Sequence, residues 1–229
     1  MRDRTRPMRA IATFLLFLSP ALLLAQPAPP PSPRFMFMYR DSVKPGADSA
    51  FNAIENEAAQ ICADLRCPNP YLGLESLDGS REVWWINTFA TEADTTRVVK
   101  AYATNRPLSE ALDGITRRKK DLVGTPIQHY AIHRPELSRG PAWRVSGARF
   151  VVVTVRRDRT PAEGSVWEAG DSTLYVFRLV KTRAEADSLA RASRGTALAI
   201  RATWSMPAGE WVAADREFWR LAPSPKARR

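Results

Sequence analysis

Phe35-Met-Phe-Met-Tyr39 and Phe150-Val-Val-Val-Thr-Val155 are short runs that are apolar on both faces. Runs this brief, rich in aromatic and β-branched side chains, read as strands rather than helices. A strand apolar on both faces needs cover on both, helices on one side and more sheet on the other. The two runs also open and close alike. Arg34-Phe35 is followed by Asp41 and Pro45, and Arg149-Phe150 by Asp158 and Pro161, so each strand ends in charge and a turn.

Downstream of the first run, Lys44-Pro-Gly46 marks a turn and Ala47 opens a helix. Ala47, Ala50, Phe51, Ile54, Ala58, Ile61 and Leu65 recur at steps of three and four and predict one apolar stripe. Glu55 and Glu57 fall on its polar side, where solvation is the expectation. Leu72-Gly-Leu-Glu-Ser-Leu77 and Glu82-Val-Trp-Trp-Ile-Asn-Thr-Phe89 bracket Asp78-Gly-Ser80, a hairpin turn. Thr91-Glu-Ala-Asp94 is a helix start with an acid three residues after the cap, and this helix runs to about Thr104. Pro107 restarts a helix from Leu108 to Leu122, with Leu108, Leu112, Ile115 and Leu122 inward, and Thr125 to His133 is a further strand. Strand, helix, strand, strand, helix, strand is the split βαββαβ unit of a ferredoxin-like domain.

The second half repeats the order in shortened form. Leu174-Tyr-Val-Phe-Arg-Leu-Val180 leads into Thr182-Arg-Ala-Glu-Ala-Asp187, as Trp84 to Phe89 leads into Thr91 to Asp94, and Thr182 with Glu185 predicts a capping box of the same kind. Ala197 to Trp204 matches the strand through Tyr130 and Ile132, while the stretch from Val155 to Val166 is too short for a full helix. The predicted fold is α+β: a duplicated ferredoxin-like βαββαβ unit, the second copy shortened, forming an antiparallel sheet barrel with helices outside. In this element order the chain resembles the dimeric α/β-barrel superfamily, which includes antibiotic-biosynthesis-monooxygenase-like and NIPSNAP-like families. The resemblance covers 35–134 well and 148–205 loosely. It implies a fold and a ligand site between sheet and helices, and carries over no catalytic residue.

The N-terminus predicts an address. Arg2, Arg4, Arg6 and Arg9 precede an apolar run from Ile11 to Ala25, then Gln26-Pro-Ala-Pro-Pro-Pro. This is the layout of a secretory signal with the cut at Ala25/Gln26, where Leu23 and Ala25 fill the small-side-chain pockets imperfectly. The run, interrupted by Pro20, is shorter than the roughly 20 apolar residues of a membrane span, so cleavage is favoured over anchoring and no transmembrane anchor is expected afterwards. The expected division is 1–25 signal peptide, 26–34 Pro-rich spacer, 35–137 first repeat, 145–221 second repeat and 222–229 basic tail. Localisation is exported, to the periplasm or beyond. There an even pair of cysteines, Cys62 and Cys67, reads as a disulfide, with Pro68 stopping the helix so that the chain can fold back.

The net charge of +10 falls to about +7 once the signal is removed, and 28 of the 34 basic residues are arginine. The dense cluster Arg117-Arg-Lys-Lys120 reads as the solvated last turn of a helix, so no specific nucleic-acid partner is expected. His129 and His133 lie on a strand, where residues four apart sit roughly 13 Å apart, so no metal site is expected, and no cofactor is implied. His133 is expected at a strand end in water. Phosphate loops and a Gly-x-Ser-x-Gly elbow are absent from the sequence. Tyr39, Arg40, Trp85, Asn87 and His129 are the ligand-binding candidates: an aromatic cavity with one amide and one guanidinium would hold a small apolar or aromatic ligand. The plainer alternative is that Trp84 and Trp85 fill core. Trp204, Trp211 and Trp219 are candidates for a packing seam with a partner subunit, as in a homodimer. Two function classes remain: a non-catalytic exported domain that binds a small ligand or protein partner, and a cofactor-independent oxygenase-like or isomerase-like enzyme acting on a small aromatic substrate.

Overall fold

The computed structural model describes residues 32–140 and 143–220. The predicted signal with its Ala25/Gln26 cut, most of the spacer and the tail 222–229 lie outside the described residues. No described helix is long and apolar enough to cross a membrane.

The elements run β1 (Phe35–Ser42), α1 (Asp48–Asp64), β2 (Leu72–Ser76), β3 (Glu82–Phe89), α2 (Glu92–Thr104), α3 (Arg106–Lys119) and β4 (Ile127–His133). After a 3₁₀ turn at Pro135–Leu137 come β5 (Ser138–Arg139), β6 (Phe150–Arg156), β7 (Ala162–Glu163), β8 (Ser165–Ala169), β9 (Leu174–Val180), α4 (Arg183–Ser193) and β10 (Thr196–Ile200). A second 3₁₀ turn, Ala202–Trp204, precedes the short helix α5 (Gly209–Ala214).

Eight strands close a barrel in the order β1-β3-β2-β10-β6-β9-β8-β4. Every neighbouring pair is antiparallel. Cut between the copies, the ring reads β4-β1-β3-β2 and then β10-β6-β9-β8. Each half therefore has the strand order of one ferredoxin-like unit, and β1, β2, β3 and β4 correspond to β6, β8, β9 and β10. The duplication is present, and closure leaves no edge of this sheet exposed.

The shortened copy has no helix between β6 and β8. Instead Leu137 and Ala162, from the 3₁₀ turn and β7, cover Val166, Leu174 and Val176 on the outer face. Helix α4 covers the outer face of β6 and β10 through Ala186, packed with Val152, Val180 and Ala197. Its cap is half the predicted box: Thr182 Oγ accepts from Glu185 N–H at 3.2 Å. At α2 the full box forms between Thr91 and Asp94.

The barrel interior is filled by Met36, Met38, Trp84, Ile86, Val151, Val153, Trp167, Tyr175 and Phe177, with Trp211 and Trp219 packed in the same cluster. Trp143 packs edge-on against Phe177 at 5.4 Å, and Trp211 lies 5.6 Å from Trp219. Trp204 packs edge-on against Phe51 at 5.6 Å. Trp204, Trp211 and Trp219 are buried within the chain itself. Trp211 and Trp219 extend the barrel-core cluster, and Trp204 belongs to the separate cluster around Phe51.

Helix α1 also differs from its predicted stripe. Its buried residues are Phe51, Glu55, Ala59 and Cys62, while Ala50 is exposed and Ile54 and Ala58 are half-buried. Phe51 is the largest apolar side chain of the helix and sits between Trp85 and Trp204, at 6.2 and 5.6 Å. Seating it turns Glu55, one turn on, toward the sheet, where Lys119 of α3 meets it at 2.9 Å. Glu55 is thus buried rather than solvated, and Lys119 is withdrawn from the basic cluster. Helix α3 stops at Lys119, three residues before the predicted end, and Leu122 is half-buried.

Cys62 and Cys67 form a disulfide with their Cα atoms 4.7 Å apart. The helix ends at Asp64, Arg66 takes a left-handed φ of 58°, and Cys67 N–H donates to Cys62 C=O at 2.8 Å. That reversal brings the two sulfurs together across five residues. Replacing both cysteines with alanine should lower unfolding free energy by about 2 kcal/mol in the chain-entropy account. Urea unfolding of the variant against oxidised wild type measures it, and coincident curves would rule out a stabilising staple.

Candidate functional site

A groove of about 630 Å³ lies on the outer face of the barrel, near the start of β1. This volume suits a small organic ligand, for which sites of roughly 300–1,000 Å³ are usual. Its floor follows from strand alternation. In β1 and β4, Met36, Met38 and Ala131 turn into the barrel, so Phe35, Phe37, Tyr130 and Ile132 turn out. The antiparallel register sets Phe35 opposite Ile132 and Phe37 opposite Tyr130, whose rings lie 4.8 Å apart. Tyr130 is 64% exposed and Ile132 42%, and both line the groove together with Phe35.

One wall is the first turns of α2, contributing Glu92, Thr95 and Thr96, with Phe89 from the end of β3. The Thr91–Asp94 capping box fixes where that helix begins. The opposite wall is Arg134, just past β4, with Glu168, Gly170 and Ser172 around the end of β8. Arg134 Nε donates to Glu168 Oε2 at 2.5 Å, and Arg159 pairs with the other oxygen of the same carboxylate. The two guanidinium groups, Arg159 first, hold the Glu168 carboxyl below its ordinary range, so it stays ionised.

The predicted ligand residues do not converge. Tyr39, Trp85 and Asn87 lie on the outer face of the sheet, on the side that α1 and α3 cover. Tyr39 and Trp85 meet edge to face at 5.5 Å, and the Lys119 ammonium lies 4.4 Å from the Trp85 ring. Tyr39 OH donates to Asp41 at 3.3 Å, and Asn87 Oδ1 accepts from Asn69 Nδ2 at 2.6 Å. Burial, then the nearby Asp41 charge, pushes the Tyr39 phenol up to about 12. Phe51, Trp85 and the Glu55–Lys119 pair pack together in this layer.

Arg40 and His129 belong to the opposite face. Arg40 stacks 4.2 Å over Trp84 and pairs with Glu82 at 2.7 Å, while His129 lies 5.6 Å from Tyr175. The sheet itself separates them from Tyr39, Trp85 and Asn87, because neighbours in a strand point to opposite faces. The set therefore does not line one cavity. His133 differs too: its ring lies 5.0 Å from Trp167 and 3.2 Å from Ser138 Oγ, and burial lowers its basicity. It is half-buried, not free in water. No group of three or more His, Cys, Asp or Glu suited to a metal occurs among the described residues.

Phe35, Tyr130, Ile132, Arg134 and Glu168 were not singled out as site residues by sequence. The available signal was Ile127, Tyr130 and Ile132 in a strand whose partner runs are apolar on both faces. Their meeting with Phe35 depends on β1–β4 pairing across more than ninety intervening residues.

Strand order and closure define the class: a duplicated ferredoxin-like α/β barrel bearing an apolar groove on its outer face. No family model and no curated protein matches the chain. Among solved structures it is similar to a "putative monooxygenase" from Fusobacterium nucleatum, with a TM-score of 0.48 and 9% identity over 74% of this chain and 93% of that one. It is also similar to a mutant chlorite dismutase from Candidatus Nitrospira defluvii, solved with cyanide, at TM-score 0.41 and 8% identity over 76% and 92%. A "putative monooxygenase" from Lactobacillus acidophilus follows at 0.40 and 6% over 81% and 89%. These likenesses transfer no residue role.

Proposed function

We propose that the protein is an exported domain that binds a small apolar or aromatic ligand, without acting on it, in the groove floored by Phe35, Tyr130 and Ile132. The observation that carries this reading is the exposed aromatic floor within a concavity of ligand size. At one wall Arg134 is held in place by the bond from its Nε to Glu168. That arrangement suits retention of a ligand. Export is supported by the sequence of the first twenty-five residues, and the Cys62–Cys67 disulfide is compatible with an oxidising compartment.

The test uses 2-naphthol and isothermal titration. Wild type should bind, and Tyr130→Ala should lower affinity by about tenfold, since a lost aromatic contact is worth roughly 1 kcal/mol beyond its area. The melting temperature of the variant should stay close to wild type because Tyr130 is exposed. No heat of binding, or equal affinity for both proteins, removes the groove from consideration.

A further inference from the structure

We infer that the groove selects amphipathic acids, ligands with a flat aromatic or acyl body and one carboxylate whose head seats on Arg134. This rests on the groove being a ligand site and names the class of ligand it takes.

Charge distribution along the groove supports it. At the β8 end two guanidinium groups, Arg134 and Arg159, share the single carboxylate of Glu168, leaving that three-residue cluster one positive charge in excess. The Arg134 pair is made through Nε, and no described residue engages its two Nη groups. Arg134 lines the groove and its side chain is 36% exposed. A guanidinium held by one edge presents another edge with fixed N–H directions, which matches a carboxylate better than a mobile ammonium would.

The other wall sets the direction. Glu92 stands at the first turn of α2, so an acidic head is repelled there. Asp171, beside Gly170, is not among the lining residues, and its two oxygens already accept from Thr173 N–H and Oγ at 3.0 and 2.8 Å. Between the walls lie Phe35, Tyr130 and Ile132, which offer no charge and cover the ligand body. A neutral aromatic satisfies the floor alone; an acid satisfies floor and wall together.

The experiment compares 2-naphthoate with methyl 2-naphthoate, which share a body and differ in the charged head. Wild type should bind the acid at least tenfold more tightly than the ester, and the advantage should shrink as salt rises. In Arg134→Gln the acid-to-ester ratio should fall toward one. Arg134→Lys keeps the charge but loses the fork, and should give an intermediate ratio. Equal binding of acid and ester by wild type overturns the acid preference while leaving the groove as a site. Failure of both ligands to bind overturns the groove itself. A preference that survives intact in both variants places the head elsewhere and also refutes the assignment to Arg134.

Discussion

Replacing Lys119 with alanine should destabilise the protein by about 3–5 kcal/mol, the scale set by stranding one member of a buried ion pair. Glu55 and Lys119 have only 4% and 16% of their side chains exposed and meet at 2.9 Å. The ammonium is further enclosed by the rings of Trp85, Tyr39 and Phe51 at 4.4, 5.8 and 5.9 Å. Without it, the carboxylate would sit among aromatic rings beside Asp41, itself buried. The sign of the pH dependence follows. Burial raises the Glu55 carboxyl above its ordinary 4.5, and Lys119 and the Trp85 indole offset part of that rise. A carboxyl raised in the folded state binds more protons there than in the unfolded chain. Its contribution is therefore fully present below 4.5 and is lost as pH climbs through the folded value. Removing Lys119 raises the folded value further, so the deficit of the variant should be largest near neutrality and shrink on acidification. The double change Glu55→Leu, Lys119→Met should recover most of the loss, because well-packed apolar side chains often replace a buried pair without penalty. Chemical denaturation at two pH values measures all of this. A loss under 1 kcal/mol, or one insensitive to pH, would mean that water screens the pair.

That pair also shows where sequence reading stops. The strands were legible because Phe35–Tyr39 and Phe150–Val155 are apolar on both faces, and only a two-sided cover explains that. The helix caps at Thr91 and Thr182 were legible because capping is a contact between residues three apart. Glu55 was not, since its partner is sixty-four residues away and its neighbours Asn52, Asn56 and Glu57 share its polar character. Helical periodicity weighs apolar side chains and gives no account of one acid turned inward by a distant lysine. The ligand set failed for a different reason. Tyr39 and Arg40 are adjacent, and one strand necessarily sends them to opposite sides of the sheet. His129 faces inward by the same alternation, while Tyr130, its immediate neighbour, forms the groove floor. The groove became visible only with barrel closure, which brings β8 beside β4 and so places Glu168 opposite Ile132.

Gly73 gives the second large effect, and it tests the seam between the two copies. Gly73→Ala should cost on the order of 3 kcal/mol, the upper part of the usual range for overpacking. A Cβ at this position would lie 2.7 Å from Trp204 Cβ and 3.0 Å from Trp204 C=O. Both are atoms at or next to backbone, so a rotamer change cannot relieve the overlap. The backbone of Gly73 is also fully used: its N–H donates to Ser205 Oγ at 2.9 Å and its C=O accepts from Arg201 N–H at 2.9 Å. Any shift of β2 that made room for the methyl group would break those bonds. It would also disturb β10, which pairs with β2 from Leu198 to Ile200 and joins the copies on this side of the barrel. Gly209→Ala is the matched control, because a Cβ there meets nothing within 4 Å. It should change stability by no more than about 0.5 kcal/mol. Thermal unfolding of both variants against wild type decides the matter. If Gly73→Ala melts with wild type and Gly209→Ala, the 3₁₀ turn at Ala202–Trp204 leaves room for a methyl group on β2. The close seam would then not be what holds the second copy against the first.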